Sequence, residues 1–368
     1  MIQRSFVFAP LPSRVVFGAG SLDNLQSEFD ALQARHALVI CTPEQAALAH
    51  VIADRLGSQC SGVFPRAVMH VPIEVAREAR EHARAVGADC IVAVGGGSTI
   101  GLGKAIALES SIPILAIPTT YAGSEMTPIY GITEGGEKKT GRDIRVLPRT
   151  VIYDPELTLS LPVRMSATSG MNAIAHCVEA LYAANGNPIT TIMAEEGIRY
   201  LARGLRRVVR AADDLDARVE CLYGAWLAGS VLAATSVALH HKLCHTLGGM
   251  LNLPHAETHA IVLPHAAAYN ASAASLAMAR VARAVGADDA AQGLFDLAAR
   301  LDVPLSLEAL GMQSADLDRI TDAALAAPYP NPRPLERAAI RAMLEDAYYG
   351  RRPAPAFSRA SKLPTAFG

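Results

Sequence analysis

The sequence predicts two halves of different fold class, an α/β half over residues 1–160 and an all-helical half over residues 161–368. Three observations support this. Short apolar runs alternate with amphipathic runs in the first half, which is typical of a parallel sheet covered by helices. Alanine- and leucine-rich segments with helical periodicity fill the second half, where strand patterns nearly vanish. The chain, at 368 residues, is long enough for two domains.

The first half is predicted to alternate strands and helices. An apolar run at residues 6–9 is expected to form an edge strand that needs a partner. The further predicted strands cover residues 36–41, 62–64, 89–94 and 112–117, and the helices between them cover residues 43–56, 72–86 and 98–108. Proline near the start of a segment, as at Pro43, favours the first turn of a helix.

The second half is predicted to contain long helices. They cover residues 166–184, 189–211, 216–251, 260–285 and 290–301, with further helical segments up to residue 349. No internal repeat interrupts them.

Composition limits the possible partners. The net charge is -2 and only 18% of residues are charged, so we expect no nucleic-acid partner, which would require a basic surface. The six cysteines are scattered singly without a CxxC pair, as in proteins of a reducing cytosol. The sequence has no signal-peptide pattern and no uninterrupted apolar run of membrane-spanning length. We therefore expect a cytoplasmic protein with no membrane partner.

A glycine-rich turn is the first candidate binding site. Gly95, Gly96 and Gly97 join a predicted strand to a helix that Ser98 can cap. Glycines allow close approach of the backbone, and a helix N-terminus favours phosphate. The usual dinucleotide spacing fails, because Ile100 occupies its last glycine position, and a tight turn that binds nothing has the same pattern.

A second strand end strengthens the prediction of a dinucleotide-binding domain. Small hydroxyl residues follow the next strand at Thr119, Thr120, Ser124 and Thr127. Ligands of open parallel sheets bind beyond the carboxyl ends of the strands, so both turns are expected to contact a pyrophosphate.

Two further features concern the cofactor. Lys138 is expected to reach a cofactor phosphate or ribose, as is Lys139, although a solvated charged loop explains both equally well. No acidic residue ends the strand at residues 36–41, where Thr42 follows. A carboxylate there would bind the ribose hydroxyls and repel a 2′-phosphate. The sequence thus predicts that NADH and NADPH are both accepted.

Histidines and one asparagine form the second candidate site. His241 and His245 are four residues apart and share a helix face, and Asn172 and His176 have the same spacing. His255 follows a short segment. One histidine in an apolar helix is usually a satisfied core residue, but several on separate segments indicate the lining of an active site.

These motifs resemble the iron-containing alcohol dehydrogenase family over nearly the whole chain. The resemblance is carried by residues 12–20, 95–98, 118–120, 154–158 and 253–255. It implies an N-terminal dinucleotide-binding domain, a C-terminal helical domain, an active site in the cleft and a homodimer. It also adds Leu157 to the expected cofactor contacts. The family holds its metal with an Asp and three His, and the matching positions here are Asn172, His176, His241 and His255, with His245 matching a further active-site histidine.

The chain departs from the family pattern in two places. Asn172 replaces the Asp, and the loop at residues 119–124 is one residue shorter. Both departures resemble one branch, the maleylacetate reductases. That resemblance implies NAD(P)H-dependent reduction of the carbon–carbon double bond of maleylacetate to 3-oxoadipate, a step in the breakdown of aromatic compounds.

The amide at position 172 also has a chemical consequence. A neutral carbonyl oxygen in place of an anion weakens a site for Fe²⁺ or Zn²⁺, so we expect no metal. A metal, if present, would use His176, His241 and His255. Without one, imidazoles attract a small dicarboxylate substrate. We expect Asn172, His176 and His255 to bind it, and His241 and His245 to perform the catalysis.

Other interpretations stay open on the sequence alone. Arg333 lies either near the cleft or at a helix entry. A metal-dependent alcohol or aldehyde dehydrogenase of the same family is one alternative function. A lyase of the dehydroquinate-synthase type is a second, although it requires a carboxylate-bearing zinc site. A non-catalytic nucleotide binder is a third, and steady NAD(P)H consumption would exclude the last two.

Overall fold

The computed structural model describes residues 5–135 and 137–355, without the side chains of residues 137 and 138. Its strands are β1 (Arg14–Phe17), β2 (Ala37–Ile40), β3 (Cys60–Phe64), β4 (Cys90–Gly95), β5 (Ile114–Pro118), β6 (Ile129–Glu134), β7 (Glu137–Arg142) and β8 (Thr150–Tyr153). Its α-helices are α1 (Leu25–Ala31), α2 (Ala46–Leu56), α3 (Ile73–Ala85), α4 (Gly97–Ser110), α5 (Val163–Tyr182), α6 (Pro188–Val208), α7 (Leu215–Ala234), α8 (Leu239–Leu251), α9 (His255–Asn270), α10 (Ser275–Val285), α11 (Ala290–Arg300), α12 (Asp316–Leu325) and α13 (Arg337–Tyr349).

The first half is a six-stranded parallel sheet in the order β1-β8-β5-β4-β2-β3. The strands β2, β4, β5 and β8 are buried throughout, which explains their continuous apolar sequences. The chain reverses direction across the sheet between β2 and β4, so the glycines that follow β4 lie at a topological switch point. The predicted α/β class of this half is confirmed.

Two predictions for the first half need correction. The expected strand at residues 6–9 is wrong: the segment has no regular structure, and Phe6 and Val7 are 44% and 90% exposed. One edge of the sheet is instead β1, which pairs in parallel with β8, and the other edge is β3. A polar segment that was not predicted to form strands is an antiparallel hairpin of β6 and β7, and it turns at Gly135 with φ of 59°.

The second half is helical, as predicted. Every α-helix from α5 to α13 lies here, and residues 163–355 contain no strand. The last strand of the sheet, β8, ends at Tyr153 and α5 begins at Val163. The expected boundary near residue 160 falls in this connection and stays a prediction.

One predicted helix, residues 216–251, is two helices that meet at a corner of 95°. The corner forms because side-chain acceptors take its backbone N–H groups. Asn185 Oδ1 accepts from Ser236 N–H at 2.7 Å, and Glu179 Oε2 accepts from Ala238 N–H at 2.7 Å. These bonds compete with continuation of α7.

The predicted helix over residues 260–285 is also wrong. It comprises α9 and α10, and residues 271–274 separate them. The carbonyl of Asn270 accepts turn bonds from Ala273 and Ala274 there. At its other end α9 begins five residues earlier than predicted, at His255, which places that residue at a helix N-terminus.

The two halves meet at a contact between glycine backbones. A Cβ built on Gly229 of α7 would lie 2.5 Å from the carbonyl oxygen of Gly123, which follows β5. No larger residue fits at this seam without displacing one half.

No single described helix has the length and apolar character to span a membrane. The helices α7 and α8 reach that length and character only when taken as a pair, across their corner.

Candidate active site

The carboxyl ends of β2, β4 and β5 bring the predicted cofactor residues together. Gln45 Nε2 donates to Thr119 Oγ1 at 2.7 Å, and Thr119 N–H donates to the carbonyl of Gly95 at 3.2 Å. The helix α4 starts directly after this turn, and its first backbone bond is donated by Ile100 N–H to Gly96 O. The N–H groups at the very start of α4 therefore have no partner within the helix.

The glycines of this turn leave space for a ligand. Gly95 has φ of 148°, which disfavours any side chain. A Cβ on Gly96 would lie 2.8 Å from Thr120 Cγ2, whereas one on exposed Gly97 would meet nothing nearer than Ala122 Cβ at 3.8 Å. Backbone N–H groups at a helix N-terminus with open space before them fit the pyrophosphate of a dinucleotide.

A buried lysine fixes the loop that follows β5. Lys104 Nζ of α4 donates to the carbonyls of Ser124, Thr127 and Ile129 at 2.6, 2.8 and 2.8 Å, and to the hydroxyls of Ser124 and Thr127 at 3.3 and 2.9 Å. Burial lowers the pKa of Lys104 to about 7, and the charge of Glu125 opposes that shift. The hydroxyls of Ser124 and Thr127, which we predicted to contact the cofactor, thus bind Lys104.

Three other residues that we predicted to contact the cofactor, Lys138, Lys139 and Leu157, are not part of the glycine turn. The side chain of Lys138 lies outside the described residues. Lys139 forms an exposed ion pair with Glu134 at 2.7 Å, as a solvated charged segment would. Leu157 is half-buried in a short 3-10 helix, Pro155–Thr158, and packs against the core.

Six histidines of the helical half form what we call the histidine cluster: His176, His240, His241, His245, His255 and His259. Two of the predicted residues bond directly, because His176 Nδ1 lies 2.8 Å from His241 Nε2. The other nitrogen of that second ring, Nδ1, lies 2.7 Å from Glu179 Oε2. Both rings and this carboxylate are buried.

The cluster includes two histidines that were not predicted. His240 Nε2 lies 2.9 Å from His259 Nδ1 and 3.8 Å from Cys244 Sγ, and all three side chains are buried. Their donor atoms lie within 4.8 Å of one another, the spacing of a possible metal site. The second ring nitrogens, His240 Nδ1 and His259 Nε2, have no hydrogen-bond partner among the described residues. His259 follows His255 by four residues, a spacing that could have identified it.

The remaining predicted residues occupy the rim and wall of the cluster. His245 is exposed, and its ring centroid lies 6.0 Å from that of His241. His255 is half-buried, with its centroid 4.3 Å from that of His259. Asn172, one helical turn before His176 on α5, is 3% exposed, and its Oδ1 has no hydrogen-bond partner in the part of the chain that the structure describes. Arg333 instead stacks on the ring of Tyr269 at 4.3 Å.

Burial favours the neutral form of three rings in the histidine cluster. It lowers the pKa of His176, His240 and His259 well below the ordinary value of 6.5, and the neighbouring imidazoles add to the shift. A hydrogen bond to the backbone of Ala122 opposes it at His176. Ala122 also lies beside Gly97, so one loop contacts both the glycine turn and the histidine cluster.

Comparison with known families matches both halves. A model of iron-containing alcohol dehydrogenases matches residues 12–155, and a model of the C-terminal part of Fe-containing alcohol dehydrogenases matches residues 166–348. This chain belongs to the iron-containing alcohol dehydrogenase family. The family that the sequence motifs resembled is thereby confirmed, and the chain is an oxidoreductase.

Individual members are also similar over their full length. Maleylacetate reductase from Burkholderia cepacia is 62% identical over 95% of this chain and 100% of its own. Maleylacetate reductase from Sphingobium indicum is 54% identical over 94% of this chain and 98% of its own. The crystal structure of maleylacetate reductase from Rhizobium sp. strain MTP-10005 matches with a TM-score of 0.92 at 53% identity, covering 95% of this chain and 100% of that one.

The metal that gives the family its name fits these residues poorly. The four matching positions offer one amide oxygen and three imidazoles, with no anionic ligand. The nitrogens of His176 and His241 that face each other are 2.8 Å apart and hydrogen-bonded, whereas two nitrogens bound to one tetrahedral Zn²⁺ lie about 3.3 Å apart.

Proposed function

We propose that this enzyme is a maleylacetate reductase, which uses NADH or NADPH to reduce the carbon–carbon double bond of maleylacetate and forms 3-oxoadipate. The observation that carries the proposal is the buried Asn172, one helical turn before His176 on α5, because its neutral amide stands where the family's metal ligand is anionic. The identities of 50–62% with maleylacetate reductases over nearly the whole chain support it.

The site residues suit a substrate with two carboxylates. A dinucleotide whose pyrophosphate binds at the glycine turn would supply the hydride from its reduced nicotinamide. We assign Asn172, His176 and His255 to the binding of the substrate's carboxylate and carbonyl oxygens. Neutral imidazoles can donate N–H bonds to such oxygens, and a carboxylate nearby favours their charged form.

Reduction of a double bond conjugated to a ketone places negative charge on the ketone oxygen and requires a proton on the neighbouring carbon. We assign stabilisation of the oxygen to the hydrogen-bonded pair His176 and His241 carrying one added proton, which the substrate's carboxylates favour, because the two N–H groups of the neutral pair are already donated between the rings and to Glu179. We assign the proton to His245, because its exposure lets it regain a proton from water after each turnover.

The remaining features of the proposal concern partners and location. We propose that the enzyme acts without metal, as a homodimer in the cytoplasm, with neither nucleic acid nor membrane as partner. The six unpaired cysteines, five of them buried, support a reducing compartment.

The test is an assay of NADH and NADPH oxidation with freshly prepared maleylacetate, with simple aldehydes as comparison substrates. Each reaction is run on protein of known metal content, with and without a chelator. We expect turnover of maleylacetate that exceeds that of the aldehydes and survives the chelator. Turnover of aldehydes alone, lost on chelation, would instead identify a metal-dependent alcohol dehydrogenase.

A further inference from the structure

We propose that Glu179 is a positioning residue of this site, which holds the ring of His241 in its working orientation. This inference rests on the proposed function. Glu179 lies on α5, three residues after His176, and its side chain is 1% exposed. None of the motifs that indicated the site includes it.

The carboxylate of Glu179 accepts three N–H bonds. Its Oε2 accepts from His241 Nδ1 and from Ala238 N–H, both at 2.7 Å, and its Oε1 accepts from His240 N–H at 2.8 Å. Two of these donors belong to the backbone at the start of α8. The carboxylate therefore caps the helix that carries His241, where the helix dipole favours a negative charge.

These bonds determine which nitrogen of His241 faces the site. A carboxylate oxygen only accepts, so His241 Nδ1 carries the hydrogen and Nε2 is directed at His176. Among the described residues, Glu179 makes no ion pair with lysine or arginine within 4.0 Å, and the ring of His241 is the side chain that donates to it. Burying a carboxylate without a lysine or arginine partner costs folding free energy. We therefore attribute its presence here to its bonds with the His241 ring and with the start of α8.

A purely structural cap for α8 is the competing explanation, and it predicts different results. A cap is needed for stability whether or not its oxygen also reaches a ring. A positioning residue must also preserve the orientation of His241, which can be observed without catalysis. The two roles separate in a variant that weakens the start of α8 without contacting His241.

The experiment compares E179Q with N331A. Asn331 Oδ1 accepts from Leu239 N–H at 3.4 Å, at the same helix start. The amide in E179Q has one acceptor oxygen in place of two, so at least one of the three N–H groups loses its partner. For E179Q we expect kcat with maleylacetate to fall more than about tenfold while the Kd of NADH changes less than about twofold. For N331A we expect a lower Tm with kcat retained.

The second readout is the NMR spectrum of protein labelled with ¹⁵N-histidine, with H241Q used to assign the ring. We expect a slowly exchanging Nδ1–H resonance of His241 in the wild type and in N331A, and its loss in E179Q. Its absence from the wild type would overturn the proposal even if no variant folds. Wild-type kcat in E179Q would also overturn it, as would an equal loss of kcat in N331A at matched loss of stability.

The two proposals fail separately in this design. If the wild type does not reduce maleylacetate, the proposed function is wrong, while the His241 resonance in the wild type and E179Q still shows whether Glu179 holds the ring. If maleylacetate is reduced but the resonance is insensitive to E179Q, only the role of Glu179 is rejected.

Discussion

His241 and His245 lie one helical turn apart in very different environments. The first is buried and has a partner on each ring nitrogen, whereas the second is exposed at the rim of the histidine cluster. Replacement of His241 therefore also leaves the buried Glu179 without its ring partner. In such a variant, a loss of activity could not be distinguished from a loss of stability. Replacement of His245 avoids this problem.

We predict that H245Q lowers kcat with maleylacetate more than about tenfold while the free energy of unfolding changes by less than about 0.5 kcal/mol, as for most exposed substitutions. The reason is loss of the proton donor from an exposed position. Steady-state kinetics and urea unfolding of the same preparation measure both quantities. Full activity of H245Q would move the proton transfer to another group.

Asn172 gives a second prediction at this scale. In N172D a negative charge faces a dianionic substrate in a buried site, so we expect the KM for maleylacetate to rise more than about tenfold. The same change completes a set of one carboxylate and three imidazoles, so affinity for Zn²⁺ should increase. Kinetics and zinc titration test both effects. N172S, which adds no charge, is the control, and an equal rise in KM there would assign the effect to shape.

Residue spacing identified part of the site, for a physical reason. A spacing of four residues places two side chains on one helix face, which holds for His241 and His245. The same rule applied to His255 would have added His259. In the sequence, Glu179 is only a single charged residue within an apolar stretch of α5. Its contacts with the start of α8 could not be predicted, because they depend on the corner before that helix.

At the scale of elements, α4 determines the positions of two loops. Its N-terminus forms the glycine turn, and about two helical turns further on Lys104 binds the loop after β5 through five oxygen atoms. These oxygens include backbone carbonyls that have to be satisfied when they are buried. The position of that loop therefore depends on one ammonium group.

We predict that K104M lowers the free energy of unfolding by roughly 3 kcal/mol, because buried carbonyls lose their partner, and that it weakens NADH binding by loosening the loop. Denaturant unfolding and NADH titration are the measurements. The control is K139M, which removes an exposed ion pair that contributes about 0–1 kcal/mol. Equal stability of the two variants would contradict the role of Lys104.

The elements predicted correctly are those whose own residues determine them. Buried strands such as β4 and β5 have continuous apolar sequences bounded by turns. The corner between α7 and α8 could not be predicted, because residues 235–238 contain neither glycine nor proline and distant side chains of Asn185 and Glu179 fix it. The hairpin of β6 and β7 was missed because its polar sequence resembles a loop.

At the scale of the whole molecule, buried histidines make stability depend on pH. The pKa of His265 is about 4, because burial disfavours the charged ring more than Asp346 favours it. The unfolded chain binds that proton near the ordinary pKa of 6.5, so between pH 6.5 and 4 the unfolded state holds more protons. The free energy of unfolding therefore falls as the pH drops through this window.

We predict that, between pH 6.5 and 4, the free energy of unfolding of H265L depends less steeply on pH than that of the wild type. The expected difference is the contribution of one titrating group, about 1.4 kcal/mol per pH unit. Urea unfolding of the wild type and H265L at pH 7, 6 and 5 measures the two slopes. The histidines of the cluster shift in the same direction and keep a residual slope in the variant. Identical slopes in both proteins would show that His265 titrates normally.

The contact of Gly123 with Gly229 has a further consequence for the molecule as a whole. Two main chains touch there with no side chain between them, so the contact distance of backbone atoms sets the closest approach of α7 to the loop after β5. An alanine at position 229 would bring its Cβ against the carbonyl oxygen of Gly123 and force the two segments apart. The spacing of the two halves at this point therefore depends on a pair of residues that have no side chain.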